Sequence, residues 1–126
     1  MAIPSGSGSE VLKNIMWEDA TSSSQPTLTL VQHHIYTILS ATICNVDGSN
    51  SGVAYMYLEG YDSYGSANSE DIRLFRTSIN AMDTFVFNDR IVIHGQGSNS
   101  AVQKIKFGLE TVSFDIVLSY IDQDWT

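Results

Sequence analysis

Lysine and arginine are scarce in this sequence, which has 6 of them against 14 aspartate and glutamate residues. The formal net charge is −8 at pH 7. Phosphate backbones repel such an acidic chain, so the composition argues against DNA or RNA as a direct ligand. Charged residues of both signs make up only 16% of the chain, below the roughly 25% of an average soluble domain. We therefore expect a surface built from uncharged polar residues, or one partly covered by other proteins.

Cysteine is represented by Cys44 alone, so the sequence predicts no disulfide within the chain. Long hydrophobic runs are also absent, since no apolar run approaches the ~18 residues of a transmembrane helix. The N-terminus has neither the basic nor the apolar region of a signal peptide. These absences favour a protein that is assembled inside a cell and has no membrane partner.

Motifs of catalysis and of metal binding are missing as well. The three histidines, His33, His34 and His94, show no H-x-H or H-x-x-x-H spacing for zinc. The acidic loop YDSYGSANSED lacks the EF-hand pattern, so a solvated loop is favoured over a calcium site. No nucleophile elbow, phosphate-binding loop or dinucleotide fingerprint occurs. We therefore expect no catalytic residue, no metal and no cofactor, in a protein that is not an enzyme.

Short apolar runs separated by polar turns fill the rest of the chain. They are rich in Ile, Val, Thr, Phe and Tyr, as strands prefer, and no segment has a convincing helical period longer than two turns. This spacing predicts an all-β fold: an antiparallel β-sandwich, jelly-roll or immunoglobulin-like, of about eight strands. The candidate strands span 11–17, 27–31, 34–46 (as one strand or two), 53–59, 72–76, 84–87, 90–94, 102–107 and 113–121.

Two strand patterns give more detailed predictions. In TFVFNDRIVIHG, two apolar runs flank Asn88 and Asp89, and both residue types tolerate a positive φ. A two-residue hairpin turn is therefore predicted there. In the last strand, SFDIVLSYID, every second residue from Phe114 is apolar, which indicates one face directed to the core. The inner face of the sandwich is predicted to include Ile38, Val92, Ile116 and Leu118.

The first residues, MAIPSGSGSE, contain little that could pack into a core. Residues 1–9 are interpreted as an extended N-terminal arm, and residues 10–126 as a single β-sandwich domain. A segment so polar and glycine-rich does not order itself, so we expect another subunit to order it. The candidate contact residues of the arm are Ile3 and Pro4, as apolar anchors, and Gly6 and Gly8, which allow close backbone approach.

Aromatic residues outside the strands form a second group of candidate interface residues. Tyr61 and Tyr64 belong to the polar loop, and Trp125 lies near the C-terminus. Tyrosine offers a large contact area at small entropic cost and is enriched at interfaces. Loop aromatics also pack back onto their own domain, and the sequence leaves both interpretations open.

Four stretches together resemble a family of short virion proteins of tailed bacteriophages: MAIPSGSGSEVLK, HHIYTILSATICNVDGS, TFVFNDRIVIHG and DIVLSYIDQDW. The resemblance covers most of the chain, and its motifs are structural rather than catalytic. It implies a β-sandwich subunit of the virion, most often a head decoration protein or a head–tail or tail component. Of these we expect a capsid decoration subunit that binds the head surface through its own oligomer and N-terminal arm. The implied partners are further copies of the chain, as a trimer, and a major capsid or tail protein. The implied location is the virion, assembled in the host cytoplasm.

Two alternatives to a decoration subunit stay open at this point. One is a structural subunit of the neck or tail. The other is a module on the virion that binds the host surface or a carbohydrate, and it would use exposed aromatic residues such as Tyr61, Tyr64 and Trp125. The number of copies per particle separates the three interpretations.

Overall fold

The computed structural model describes residues 9–61, 70–95 and 103–124, and this part of the chain contains nine strands and no helix. The strands form two antiparallel sheets whose buried side chains meet in one core, so the predicted β-sandwich is confirmed. The strands are β1 (Ser9–Ala20), β2 (Thr27–Thr29), β3 (His34–Asn45), β4 (Gly52–Tyr61), β5 (Glu70–Ile79), β6 (Thr84–Phe87), β7 (Ile91–His94), β8 (Lys104–Glu110) and β9 (Phe114–Asp124).

The strand order is that of a jelly roll. The first sheet runs β1-β9-β3, with β6 and β7 both on the outer edge of β3, and the second runs β2-β8-β4-β5. Because β6 and β7 are two pieces of one interrupted strand, the topology counts eight strands. Consecutive strands lie in opposite sheets except for the β4–β5 pair. This alternation selects the jelly roll over the immunoglobulin-like arrangement.

The hairpin predicted at Asn88 and Asp89 is wrong. β6 and β7 do not pair with each other but follow one another along β3, where Phe87 pairs with Ala41 and Ile91 pairs with Ile38. Neither residue of the predicted turn has a positive φ. The turn propensity of Asn-Asp is overridden because one long strand, β3, offers ladder partners to both apolar runs.

The core lies between the two sheets and is built from alternate residues of β3, β4, β8 and β9. Aromatic contacts join the sheets at both sides, with Trp17 against Phe107 at 5.9 Å between ring centroids and Phe75 against Phe85 at 5.2 Å. The largest fully buried apolar side chains are Tyr36, Phe107, Phe114, Ile38, Ile43, Met56, Ile105, Leu109, Ile116 and Leu118.

Of the four residues predicted on the inner face, Ile38, Ile116 and Leu118 are confirmed, and Val92 is wrong. Val92 is 67% exposed. It pairs directly with Thr37 in the ladder, and residues opposite each other share a face of the sheet. Since Thr37 lies between inward-facing residues of β3, Val92 points outward and Ile93 takes the inner position.

Both boundaries of β1 differ from the sequence prediction. β1 begins at Ser9, which the sequence assigned to the arm, because Ser9 pairs with Asp124. The same strand continues through Glu18 and Asp19 to Ala20, beyond the predicted end, by means of a register shift. Asp19 has a φ of 51° at this irregularity, a conformation that Asp tolerates better than most residues.

Candidate interaction surfaces

Six of the seven predicted interface residues lie outside the described residues: Ile3, Pro4, Gly6, Gly8, Tyr64 and Trp125. The seventh, Tyr61, was expected in a loop. The structure instead places its backbone at the last position of β4, paired with Glu70. The predicted loop is therefore shorter than the sequence suggested.

The strand ends that lead to these residues share one end of the sandwich. In the first sheet, Ser9 pairs with Asp124, which in turn pairs with His34. The backbone N–H of Gly95 donates to the carbonyl of His34. In the second sheet, β4 ends and β5 begins at this same end, and Leu30 N–H donates to the carbonyl of Gln103. We call this end the open end.

A charged cluster sits at the open end and joins β1, β3 and β9. Asp122 is only 8% exposed, and its two carboxylate oxygens lie 3.1 Å from Lys13 Nζ and 2.6 Å from His34 Nδ1. The hydrogen bond to Asp122 raises the pKa of Lys13 above its ordinary value. His34 also stacks against Tyr36 at 6.0 Å. Both oxygens of Asp122 thus contact side chains of the same chain, and the cluster stabilises the packing of β1, β3 and β9 against one another.

The opposite end of the sandwich contains a second polar network. The side chain of Asn45 is fully buried, and its Nδ2 donates to the carbonyls of Asn50 and Ile79 at 3.0 Å. Its Oδ1 accepts from Asp47 N–H at 2.9 Å. Asp47 Oδ1 accepts the N–H groups of Ser49 and Asn50, which lowers the pKa of this carboxyl below its usual value. These groups shape the turn and leave Asp47 engaged within its own loop.

Residues 9–61, 70–95 and 103–124 contain neither a metal-binding cluster nor a membrane-spanning helix. Within these ranges no three His, Cys, Asp or Glu side chains stand together in an arrangement that holds a metal ion. The same ranges contain no helix long and apolar enough to cross a membrane. The surface features that stand out are instead the two outer faces of the sandwich.

The outer face of the first sheet carries two apolar rows that run across its strands. Lys13 is the only lysine or arginine in the five strands of this sheet, and its Nζ donates to Asp122. Four hydrophobic side chains of the rows are largely exposed: Leu12 (64%), Met16 (72%), Val86 (51%) and Val92 (67%). We call this surface the apolar face. Its rows, read across the ladder, are Leu12–Ile121–Thr37–Val92 and Met16–Val117–Thr42–Val86.

One corner of the apolar face holds a pocket rimmed by carboxylates. It has a volume of about 260 Å³ and forms where β1 shifts register against β9. Its lining combines Met16 and Val117 with Glu18 and Asp115. Apolar walls with acidic groups suit a long side chain that has an apolar stem and a cationic tip.

The outer face of the second sheet is cationic although the chain is acidic. Four of the six lysines and arginines lie on it. Across the ladder, Arg76 pairs with Tyr55, and Arg73 and Lys106 both pair with Tyr57. Lys104 pairs with Glu59. Two carboxylates accompany them. Glu110 lies 3.2 Å from Arg76, and Glu59 lies 3.2 Å from Lys106 and 3.9 Å from Lys104. We call this surface, made by Tyr55, Glu59, Arg73, Arg76, Lys104, Lys106 and Glu110, the cationic face.

Tyr55 is the centre of the cationic face. Its ring lies under the guanidinium carbons of Arg73 and Arg76, at 4.8 and 5.5 Å from the ring centroid, and 5.6 Å from the ring of Tyr57. The ring also lies across Gly108 of the neighbouring strand, where an added Cβ would overlap it. A glycine is required at this position for the tyrosine to lie flat and hold both arginines.

No model of a known protein family matches this chain. No curated protein matches it either. Among solved structures, one similar chain belongs to the Bacillus endospore appendages, which form a novel family of disulfide-linked pili. It is 8% identical, the alignment covers 100% of this chain and 97% of that chain, and the TM-score is 0.46.

Proposed function

We propose that the chain is a structural, non-enzymatic subunit of a bacteriophage virion, specifically a capsid decoration subunit. The observation that carries the proposal is the apolar face. Contiguous apolar patches are small on monomeric soluble proteins, and larger ones mark contact sites for other proteins. A jelly roll with such a face is suited to packing against further protein.

Burial of the exposed side chains in the two rows would supply the free energy for such a contact. Complete burial of a Val, Leu or Met side chain stabilises a contact by about 1.5–3 kcal/mol. Four such side chains are at least half exposed on this face, and the threonines and serines between them carry no charge to desolvate. The sequence stretches that resemble virion proteins supply the particular setting, and the apolar face supplies the physical basis for assembly.

The non-enzymatic part of the proposal is supported by what the polar clusters already do. Asp122 is held by Lys13 and His34, and Asp47 by the N–H groups of its own turn. A general acid, base or nucleophile must instead point at a bound reactant. These carboxylates stabilise the fold, and we assign no chemical step to them.

The test is the copy number of the protein in purified virions. Particles are banded on a density gradient, and the protein is quantified by gel densitometry against the major capsid protein. A decoration subunit should be present in hundreds of copies, whereas a neck or tail ring predicts tens and a host-binding tip predicts a few. Absence of the protein from the banded particles would refute a virion role of any kind.

A further inference from the structure

We infer that copies of this chain associate head to tail, with the cationic face of one copy packed on the apolar face of the next. The inference starts from the charge distribution. Among the side chains that the structure describes, four cations against two carboxylates give the cationic face a charge of +2. Since the whole chain carries −8, the remainder carries −10. A second copy of the same chain is therefore an acidic partner of the kind that the cationic face attracts.

Acidic side chains of the first sheet border the apolar face, where they would meet the cations of a second copy. Glu10 and Glu18 are exposed on β1, on the same outward side as Leu12 and Met16. Glu18 and Asp115 rim the pocket. Arg73 and Arg76 are exposed on β5, the edge strand of the second sheet. An arginine placed over the pocket would lay its stem along Met16 and direct its guanidinium to the two carboxylates.

The apolar parts of the two faces match as well. The stems of the four cations and the ring of Tyr55 form a surface of hydrocarbon with charged tips. That surface can cover threonine and valine rows without burying an unpaired charge, because its charges reach the acidic rim. Two copies that met by their apolar faces would instead bring Glu18 and Asp115 of one copy near the acidic rim of the other, and like charges in juxtaposition cost several kcal/mol.

The geometry makes the contact heterologous. The two faces lie on opposite sides of one sandwich, so a copy bound by its cationic face still presents a free apolar face. Contacts of this type generate a closed ring where the rotation between neighbours closes, and an open filament where it does not. The inference rests on the proposed multi-copy role, but it is tested on the purified chain without particles, so either proposal can fail alone.

The experiment is sedimentation velocity on the purified full-length chain over a range of concentrations. An ionic strength of about 0.15 M is suitable, because a Debye length of about 8 Å screens the overall repulsion between acidic copies more than it screens contact pairs. The cationic-face variant is Arg73→Glu with Arg76→Glu, and the apolar-face variant is Glu10→Lys with Glu18→Lys. The control variant, Asp83→Lys with Asn80→Lys and Ser51→Lys, changes the net charge as much as the apolar-face variant, but its three exposed positions lie in loops 46–51 and 80–83.

Wild-type and control chains should associate with increasing concentration, and each face variant alone should lose at least tenfold in affinity. A mixture of the two face variants should regain association. In the mixture, the reversed face of one variant meets the reversed face of the other, and the unchanged faces also meet. Recovery on mixing is the decisive result, since it requires the two faces to contact each other.

Three results would overturn the inference. The wild-type chain could stay monomeric up to about 1 mM, which would mean that another protein covers these faces. The face variants could associate as well as the control. The apolar-face variant could lose association without recovery on mixing, which would indicate a contact between two apolar faces. Thermal melts of every variant establish that it is folded, and Arg73→Glu alone replaces the double variant if Arg76→Glu disturbs the pair with Glu110.

Discussion

Replacing Gly108 by alanine tests whether the ring of Tyr55 depends on the glycine beneath it. An added Cβ would overlap the ring, so Tyr55 must swing away and leave Arg73 and Arg76. Two cation–π contacts at an exposed site are worth about 0.5–1 kcal/mol each. The contact with Tyr57 adds about 0.5–1.5 kcal/mol. Alanine offsets part of this loss, since it is better than glycine within a strand by about 0.5–1 kcal/mol.

The expected net effect of Gly108→Ala is a loss of about 1–2 kcal/mol in the free energy of unfolding. In a Tyr55→Ala background the ring is absent, so the same substitution should stabilise the chain by about 0.5–1 kcal/mol. The measurement is urea unfolding of the wild type, the two single variants and the double variant. The sign of the Gly108→Ala effect should therefore depend on residue 55, with a coupling energy of about 2 kcal/mol.

Gly108→Ala could also cost the same in both backgrounds. That result would refute the reasoning, because the glycine would then be required by the backbone and not by the ring. The comparison is informative beyond stability, since Tyr55 holds the arginines of the cationic face. If the double variant of Tyr55→Ala and Gly108→Ala keeps its stability but loses head-to-tail association, the ring of Tyr55 is required for binding by the cationic face.

Three further predictions concern other parts of the fold. Asn45→Ala should lower the free energy of unfolding by about 2–4 kcal/mol, because the carbonyls of Asn50 and Ile79 and one N–H lose their partner. Urea unfolding measures this loss, and a value below about 0.5 kcal/mol would contradict the network. The pKa of Asp47 is lowered in the folded chain, so the ionised carboxylate stabilises the fold above the ordinary pKa of 3.8, and this effect is lost as pH falls through the lower folded value. The difference in stability between wild type and Asp47→Asn should therefore shrink on acidification below pH 3.8. A difference that stays constant with pH would refute this prediction. Deletion of residues 1–8 should leave the melting temperature of the free subunit within a few degrees while weakening particle binding; unfolding of the truncated chain with unchanged binding would contradict the arm hypothesis.

The fold class could be predicted because its signal is local. Alternating apolar residues, as in Ile116 and Leu118, report which side of a strand is buried without any knowledge of the partner strand. Both are fully buried, as predicted. Polar turns such as DGSNSG can also be recognised from their own residues. The composition did not reveal that the buried side chain of Asn45 binds to this turn.

The sequence predictions were wrong where the structure depends on pairing with a strand that is distant in the sequence. Asn88 and Asp89 have the composition of a tight turn, yet β3 holds the chain on both sides of them in one line. Val92 sits in a run of three apolar residues, IVI, and only its pairing with Thr37 shows that the middle one faces outward.

The sequence also did not predict the two outer faces, because each face combines residues that are far apart in the sequence. The cations of the cationic face come from two segments, 73–76 and 104–106, which are far apart in sequence and meet only because β4 lies between β5 and β8. The rows of the apolar face draw on β1, β3, β6, β7 and β9. Low charge in the sequence suggested a covered surface, but the strand order was needed to locate it.

The place of β9 in its sheet determines when the subunit can fold. Within the described residues, β1 pairs only with β9, and β9 lies between β1 and β3. Of the nine strands described, the last to be synthesised is therefore an inner strand of its sheet, and β1 has no partner among them until β9 is made. Long-range pairing of this kind folds slowly. The sandwich should be completed only after β9 has been synthesised, so that a copy truncated before β9 lacks the strand that joins β1 to β3 in the apolar face.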